Sequence, residues 1–127
     1  MYKLILIGLG GFTGALLRYG VSGFVQNWSK NISFPYGTLV VNILGCFIIG
    51  LFSQLAETRG LFSPETRLFI FIGLLGSFTT YSSFGSETVN LMMDGKNLLS
   101  LTNIGLHLLL GLGAVWLGRI TALFIWR

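Results

Sequence analysis

Four stretches of this chain are long and apolar enough to cross a lipid bilayer. A helix needs about 20 consecutive apolar residues to span the hydrocarbon. The first stretch runs from about Leu4 to Val25 and is interrupted by Arg18. The second, Tyr36 to Leu55, and the third, Leu68 to Ser86, carry no charge. The fourth, Asn97 to Gly118, holds only His107 and continues through Ile125, with Arg119 and Arg127 near the membrane surface. Backbone groups in hydrocarbon must find partners within their own segment, so such stretches predict helices. The expected fold is an all-α integral membrane protein. It has four transmembrane helices over about 4–25, 36–55, 68–92 and 97–125, in one membrane domain, 1–127. The connections, Gln26–Pro35, Ala56–Arg67 with Gly60 and Pro64, and Met93–Lys96, are too short for a soluble domain.

Composition excludes several function classes. Only 9% of residues are charged, against about 25% in soluble domains, so the solvent is lipid. The formal charge of +4 is scattered, with no basic run to follow a phosphate backbone, which argues against nucleic-acid binding. Cys46 stands alone in an apolar segment and reads as a small packing residue. Lys3 ahead of an apolar run resembles a leader peptide, but Arg18 and the glycine spacing favour a retained helix. With both termini on one side, that side collects Lys3, Arg59, Arg67 and Arg127, and the other Lys30 and Lys96. Positive-inside counting then favours cytoplasmic termini only weakly, which permits insertion in both directions.

Polar groups inside a span are costly and need a partner or a role. Arg18 keeps its charge, and reads either as an interfacial anchor beside Tyr19 or as a fixed cation at an aqueous vestibule. Upstream, Gly10 and Gly14, and Gly11 and Ala15, make small-xxx-small faces suited to helix packing. Asn42 shares a helical face with Thr38, Gly45 and Ile49; it either bonds another helix or turns its amide toward a pore. The segment Gly76-Ser-Phe-Thr-Thr-Tyr-Ser-Ser-Phe-Gly85 sets Ser77, Thr79, Thr80, Ser82 and Ser83 among Phe78, Tyr81 and Phe84. This density predicts a helix broken in mid-span, tolerated only where protein or water covers it. Asn103, His107 and Gly111 share a face of the fourth segment, as a polar lining or a buried hydrogen bond. The only acidic residue in these spans is Glu87, at the very end of the third. Hydroxyls, amides and electropositive ring edges suit an anion better than a cation.

At these residues the chain resembles the bacterial fluoride channel family, Fluc or CrcB. Three motifs carry the resemblance: Gly10-Gly-Phe-Thr-Gly-Ala-Leu-Leu-Arg-Tyr19, Gly37-Thr-Leu-Val-Val-Asn-Ile-Leu-Gly-Cys-Phe47 and Gly76-Ser-Phe-Thr-Thr-Tyr-Ser-Ser-Phe84. The resemblance implies a passive fluoride channel that lowers cytoplasmic fluoride from the bacterial plasma membrane. It implies an antiparallel, dual-topology homodimer, or a pair with a paralogous chain, with two fluoride pathways. It further implies a structural, non-transported sodium ion at the dimer centre, on the carbonyls of Gly76 and Thr79. By motif position the fluoride pathway takes Asn42, Phe78, Thr80, Tyr81, Ser82, Ser83, Phe84, Asn103 and His107, with Arg18 in the vestibule. Two residues depart from the family pattern: Tyr81 stands where Phe is usual, and His107 where Ser or Asn is expected. Protonated, His107 would add anion affinity; neutral, it would act as a plain donor.

Two other readings share the four short spans. A dual-topology, proton-coupled multidrug antiporter needs a carboxylate at membrane depth, which the first three spans lack. A non-transporting scaffold subunit predicts no flux. An enzyme is not expected, since the chain offers no nucleophile–base pair, carboxylate pair or metal cluster.

Overall fold

The computed structural model describes residues 1–126; Arg127, read above as a membrane-surface residue, lies outside them. Four helices long and apolar enough to span a membrane make up nearly all of it. They are α1 (Tyr2–Ser29), α2 (Tyr36–Arg59), α3 (Pro64–Met93, not continuous) and α4 (Asn97–Ile125). Three of them run past their predicted ends, because polar residues end the hydrocarbon stretch without ending the helix. Gln26, at the tail of α1, donates to the carbonyls of Asn31 (2.5 Å) and Phe34 (3.1 Å) and accepts from the Gly37 amide at 3.1 Å. It thereby ties the α1–α2 link to both helices.

The third span has three parts. Ser63 caps its start by accepting from the Thr66 amide, with Pro64 in the first turn. The stretch Leu68–Leu75 is a π-helix, and Gly76–Phe78 returns to α geometry. The helix then stops. Thr79 (φ −80°, ψ 157°) and Thr80 (φ −149°, ψ 105°) are extended, and Tyr81–Met93 forms a second helical half. The predicted mid-span break is therefore present. Glu87 lies past the uncharged stretch that ends at Ser86 but within the helix expected over 68–92, and the second half carries it. The helix continues through the polar residues Glu87, Thr88 and Asn90.

Small residues let the helices approach. A methyl on Gly10 would strike the Phe69 carbonyl oxygen, and one on Gly14 the Leu74 carbonyl oxygen, so α1 lies directly on the first half of α3. Gly50 meets the Val115 backbone and Gly118 the Phe47 backbone, which sets α2 against α4. Without a hydrophobic drive between helices in lipid, close backbone approach supplies much of the attraction. Gly11 faces open space, so the second small-xxx-small pair makes no such approach. Its carbonyl instead accepts from Ser77 Oγ at 2.8 Å.

Candidate functional site

The break in α3 frees backbone groups that must be satisfied, and Asn42 of α2 takes two of them. An extended residue presents its N–H and C=O to the same side, as in an antiparallel strand pair. The Thr80 amide donates to Asn42 Oδ1 at 2.7 Å, and Asn42 Nδ2 donates to the Thr80 carbonyl at 3.1 Å. The carboxamide thus acts as a one-residue strand partner. Thr80 Oγ1 accepts from the Ser83 amide at 3.2 Å, capping the second half, and donates to Ser83 Oγ at 2.9 Å.

The last helical bond before the break is Thr79 N–H to the Leu75 carbonyl, so the carbonyls of Gly76, Ser77, Phe78 and Thr79 all lose their helical partners. In an unbroken helix Gly76 C=O accepts from the Thr80 amide and Thr79 C=O from the Ser83 amide. Here the first amide goes to Asn42 and the second to the Thr80 hydroxyl. Gly76 and Thr79 both border the same recess. Neutral backbone carbonyls are oxygen donors of the kind that hard cations take.

Two recesses meet at Thr80, which lines both. The first, about 370 Å³, is mostly apolar and lies among α2, α3 and α4. Asn42, Tyr81, Phe84 and His107 border it. Tyr81 and Phe84 sit with ring centroids 5.6 Å apart, and Phe84 lies over the His107 imidazole at 4.3 Å. The second recess, about 500 Å³, is flanked by Arg18, Ser22, Thr38, Ser83 and Glu87. Arg18 makes no ion pair among the described residues, so its charge acts on the recess itself. Thr38 donates to Glu87 Oε1 at 2.6 Å, while Glu87 Oε2 is buried without a partner.

The structure distributes the expected residues unevenly. Asn42, Thr79, Thr80, Tyr81, Phe84, His107 and Gly76 gather at the first recess, and Arg18 and Ser83 at the second. Ser82 is exposed. Phe78 is buried against the helix face at Gly45 and borders neither recess. Asn103 is fully buried behind His107, where it donates to Thr88 Oγ1 at 2.9 Å and joins α4 to α3. Of the i, i+4, i+8 stripe, His107 and Gly111 alone border the first recess. His107 also differs from the plain donor expected of a neutral ring. Its Nε2 faces Asn42 Nδ2 at 3.1 Å, and its Nδ1 faces its own helix's Asn103 carbonyl at 3.0 Å. Sequence reasoning missed the Thr38–Glu87 pair; Thr38 lying one turn before Asn42 was the available signal.

Comparisons with known proteins identify the chain's relatives. Residues 5–119 match a family described as CrcB-like protein, Camphor Resistance (CrcB). A protein named Fluoride-specific ion channel FluC 1, from Methanosarcina acetivorans, is 51% identical, the match covering 97% of this chain and 92% of that one. Fluoride-specific ion channel FluC 3 of Methanosarcina barkeri is 46% identical over the same shares. Fluoride-specific ion channel FluC of Methanococcus maripaludis is 44% identical over 99% of this chain and all of its own. These relatives are named as channels and not as enzymes. On a family match spanning most of its length and relatives alike from end to end, this chain is a member of the CrcB family.

Proposed function

We propose that this chain is a passive, fluoride-selective channel of the plasma membrane that lowers cytoplasmic fluoride and so relieves its toxicity. The observation that carries this reading is the meeting of two recesses at Thr80, one lined by hydroxyls with Arg18 and Glu87 at its wall, the other rimmed by aromatic rings. Fluoride is small and holds its water strongly, so a path must replace that water with donors that do not trap the ion. Arg18 raises the local anion concentration. The hydroxyls of Thr80, Ser82 and Ser83 take over hydration in turn. The electropositive edges of Tyr81 and Phe84 solvate the anion where hydroxyls end. Asn42 and His107 hold this region in shape, with Asn103 and Phe78 packed behind it. Hydrogen fluoride crosses membranes as the neutral acid and dissociates inside, and the membrane potential then favours outward movement of the anion.

The channel works as an antiparallel pair, of two copies or of this chain with a paralogue. Residues whose carbonyls the α3 break frees border the first recess, lipid tails cannot satisfy those carbonyls, and a second subunit covers them. In such a pair the carbonyls of Gly76 and Thr79 from both subunits would hold a sodium ion. When bound it would supply a structural positive charge between the subunits and would not be transported.

The test is fluoride release from proteoliposomes, read with a fluoride electrode and no proton gradient. Phe84→Ile is expected to abolish release while the purified protein keeps the size of the pair. Release at the wild-type rate from that variant would sink the aromatic pathway. Gradient-driven cation uptake would point to an antiporter, and vesicles tight to fluoride to a scaffold.

A further inference from the structure

We infer that His107 is a positioning residue for ion passage: its bare Nε2 holds the Asn42 carboxamide across the α3 break, so the pathway is intact only while the imidazole is neutral. For ion passage the inference rests on the channel reading above; the hydrogen bonding stands apart from it.

The chain of donors fixes every proton. The Thr80 amide can only donate, so the Asn42 atom 2.7 Å from it is the carbonyl oxygen. Asn42 Nδ2 is then the other end of the group. One of its hydrogens goes to the Thr80 carbonyl, and Nδ2 also lies 3.1 Å from His107 Nε2. Two N–H groups cannot bond each other, so Nε2 carries no hydrogen. The ring proton is on Nδ1, where the Asn103 carbonyl accepts it at 3.0 Å. The neutral Nδ1–H tautomer alone satisfies both ring nitrogens, and it completes the set of bonds that Asn42 makes.

Adding a proton to Nε2 sets two donors against each other at 3.1 Å. The ring is held by Phe84 on one face and by the Asn103 carbonyl at its other nitrogen, so Asn42 is the group that must turn. Turning releases the Thr80 amide and carbonyl, the two bonds that hold the break. Among the described residues no carboxylate borders the His107 recess to hold an imidazolium there. Among the described residues, α2 brings Cys46 to that recess and the second half of α3 brings Tyr81; the first half of α3 and the rest of α4 bring no titratable group. Glu87 of α3, bonded to Thr38, lies with Arg18 of α1 in the other recess.

His107 is the chain's one histidine, so a histidine-labelled sample in lipid vesicles gives a ¹⁵N spectrum of this ring alone. At about pH 8 the spectrum is expected to show a bare Nε2 and a protonated Nδ1. A proton on Nε2 would overturn the inference. Fluoride flux is expected to fall on acidification, by about tenfold per pH unit once below the ring's own titration midpoint. His107→Gln, whose amide oxygen still accepts from Asn42, should lose that fall and pass more fluoride than His107→Leu, which offers no acceptor. Flux that rises or stays level as wild type is acidified overturns the inference. So does a Gln variant that keeps the wild-type slope, or a Leu variant that matches wild type. Wild-type vesicles tight to fluoride at every pH would end the channel reading only, and the spectrum would still decide whether His107 holds Asn42.

Discussion

Asn42 and Thr80 exchange two hydrogen bonds across 38 positions of sequence, and the site depends on that exchange. A broken helix at membrane depth leaves amides and carbonyls that water would satisfy elsewhere. A carboxamide is suited to this place because it offers one acceptor and two donors in a plane. Asn42→Asp keeps the shape and removes the donors. A carboxylate oxygen would then face the Thr80 carbonyl and His107 Nε2, acceptors against acceptors, and would put negative charge on the proposed anion path. Each buried group left unpaired costs about 1–3 kcal/mol, so the thermal midpoint should fall as well as the flux. Fluoride release and thermal unfolding of the same sample check both. An unchanged rate would remove Asn42 from the site.

Helix by helix, approach is controlled by which glycines face a neighbour. Gly14 lies on the Leu74 carbonyl and the Ser77 hydroxyl, whereas Gly20 of the same helix faces open space. Gly14→Val should therefore lower stability by about 1–3 kcal/mol through overpacking, and Gly20→Val should leave it nearly unchanged. Thermal midpoints in detergent separate the two, and equal losses would mean that α1 does not seat on α3 as described. The same elements show what could be read from the residues. Hydroxyls crowded between Gly76 and Gly85 were enough to place the break, because no continuous lipid-facing helix tolerates them. Its internal geometry was not legible. Phe78 ends one helical half while Tyr81 and Phe84 begin the other, and periodicity does not carry across two extended residues. Asn103 shares a face with His107, but its depth is decided by Thr88 on another helix, which no spacing within α4 reveals. The π-helix Leu68–Leu75 is wholly apolar apart from one glycine, so nothing in its residue types marks it.

At the scale of the molecule, the proposed pair would cover a surface that one chain leaves open. Tyr81 is 84% exposed although it borders the first recess, so that recess lacks a cover. A two-fold partner is the commonest way to close such a surface. Orientation depends on the basic residues at the two ends of the bundle. Among the described residues Lys3, Arg59, Arg67 and Arg119 lie at one end. Arg18, Lys30 and Lys96 lie toward the other. Basic residues set membrane orientation by their difference between sides, and here that difference is small. A difference this small is compatible with the proposed antiparallel pair, in which one sequence inserts both ways. Ile32, fully exposed in the α1–α2 link, is a place to read this. With Cys46→Ala removing the only native thiol, Ile32→Cys supplies one reporter per chain. In intact cells a membrane-impermeant maleimide should label about half of the chains, as a two-fold antiparallel pair requires. The remainder should react once the membrane is permeabilised. Labelling of all chains from outside, or of none, would mean a single orientation, and the carbonyls of Gly76 and Thr79 would need a different partner.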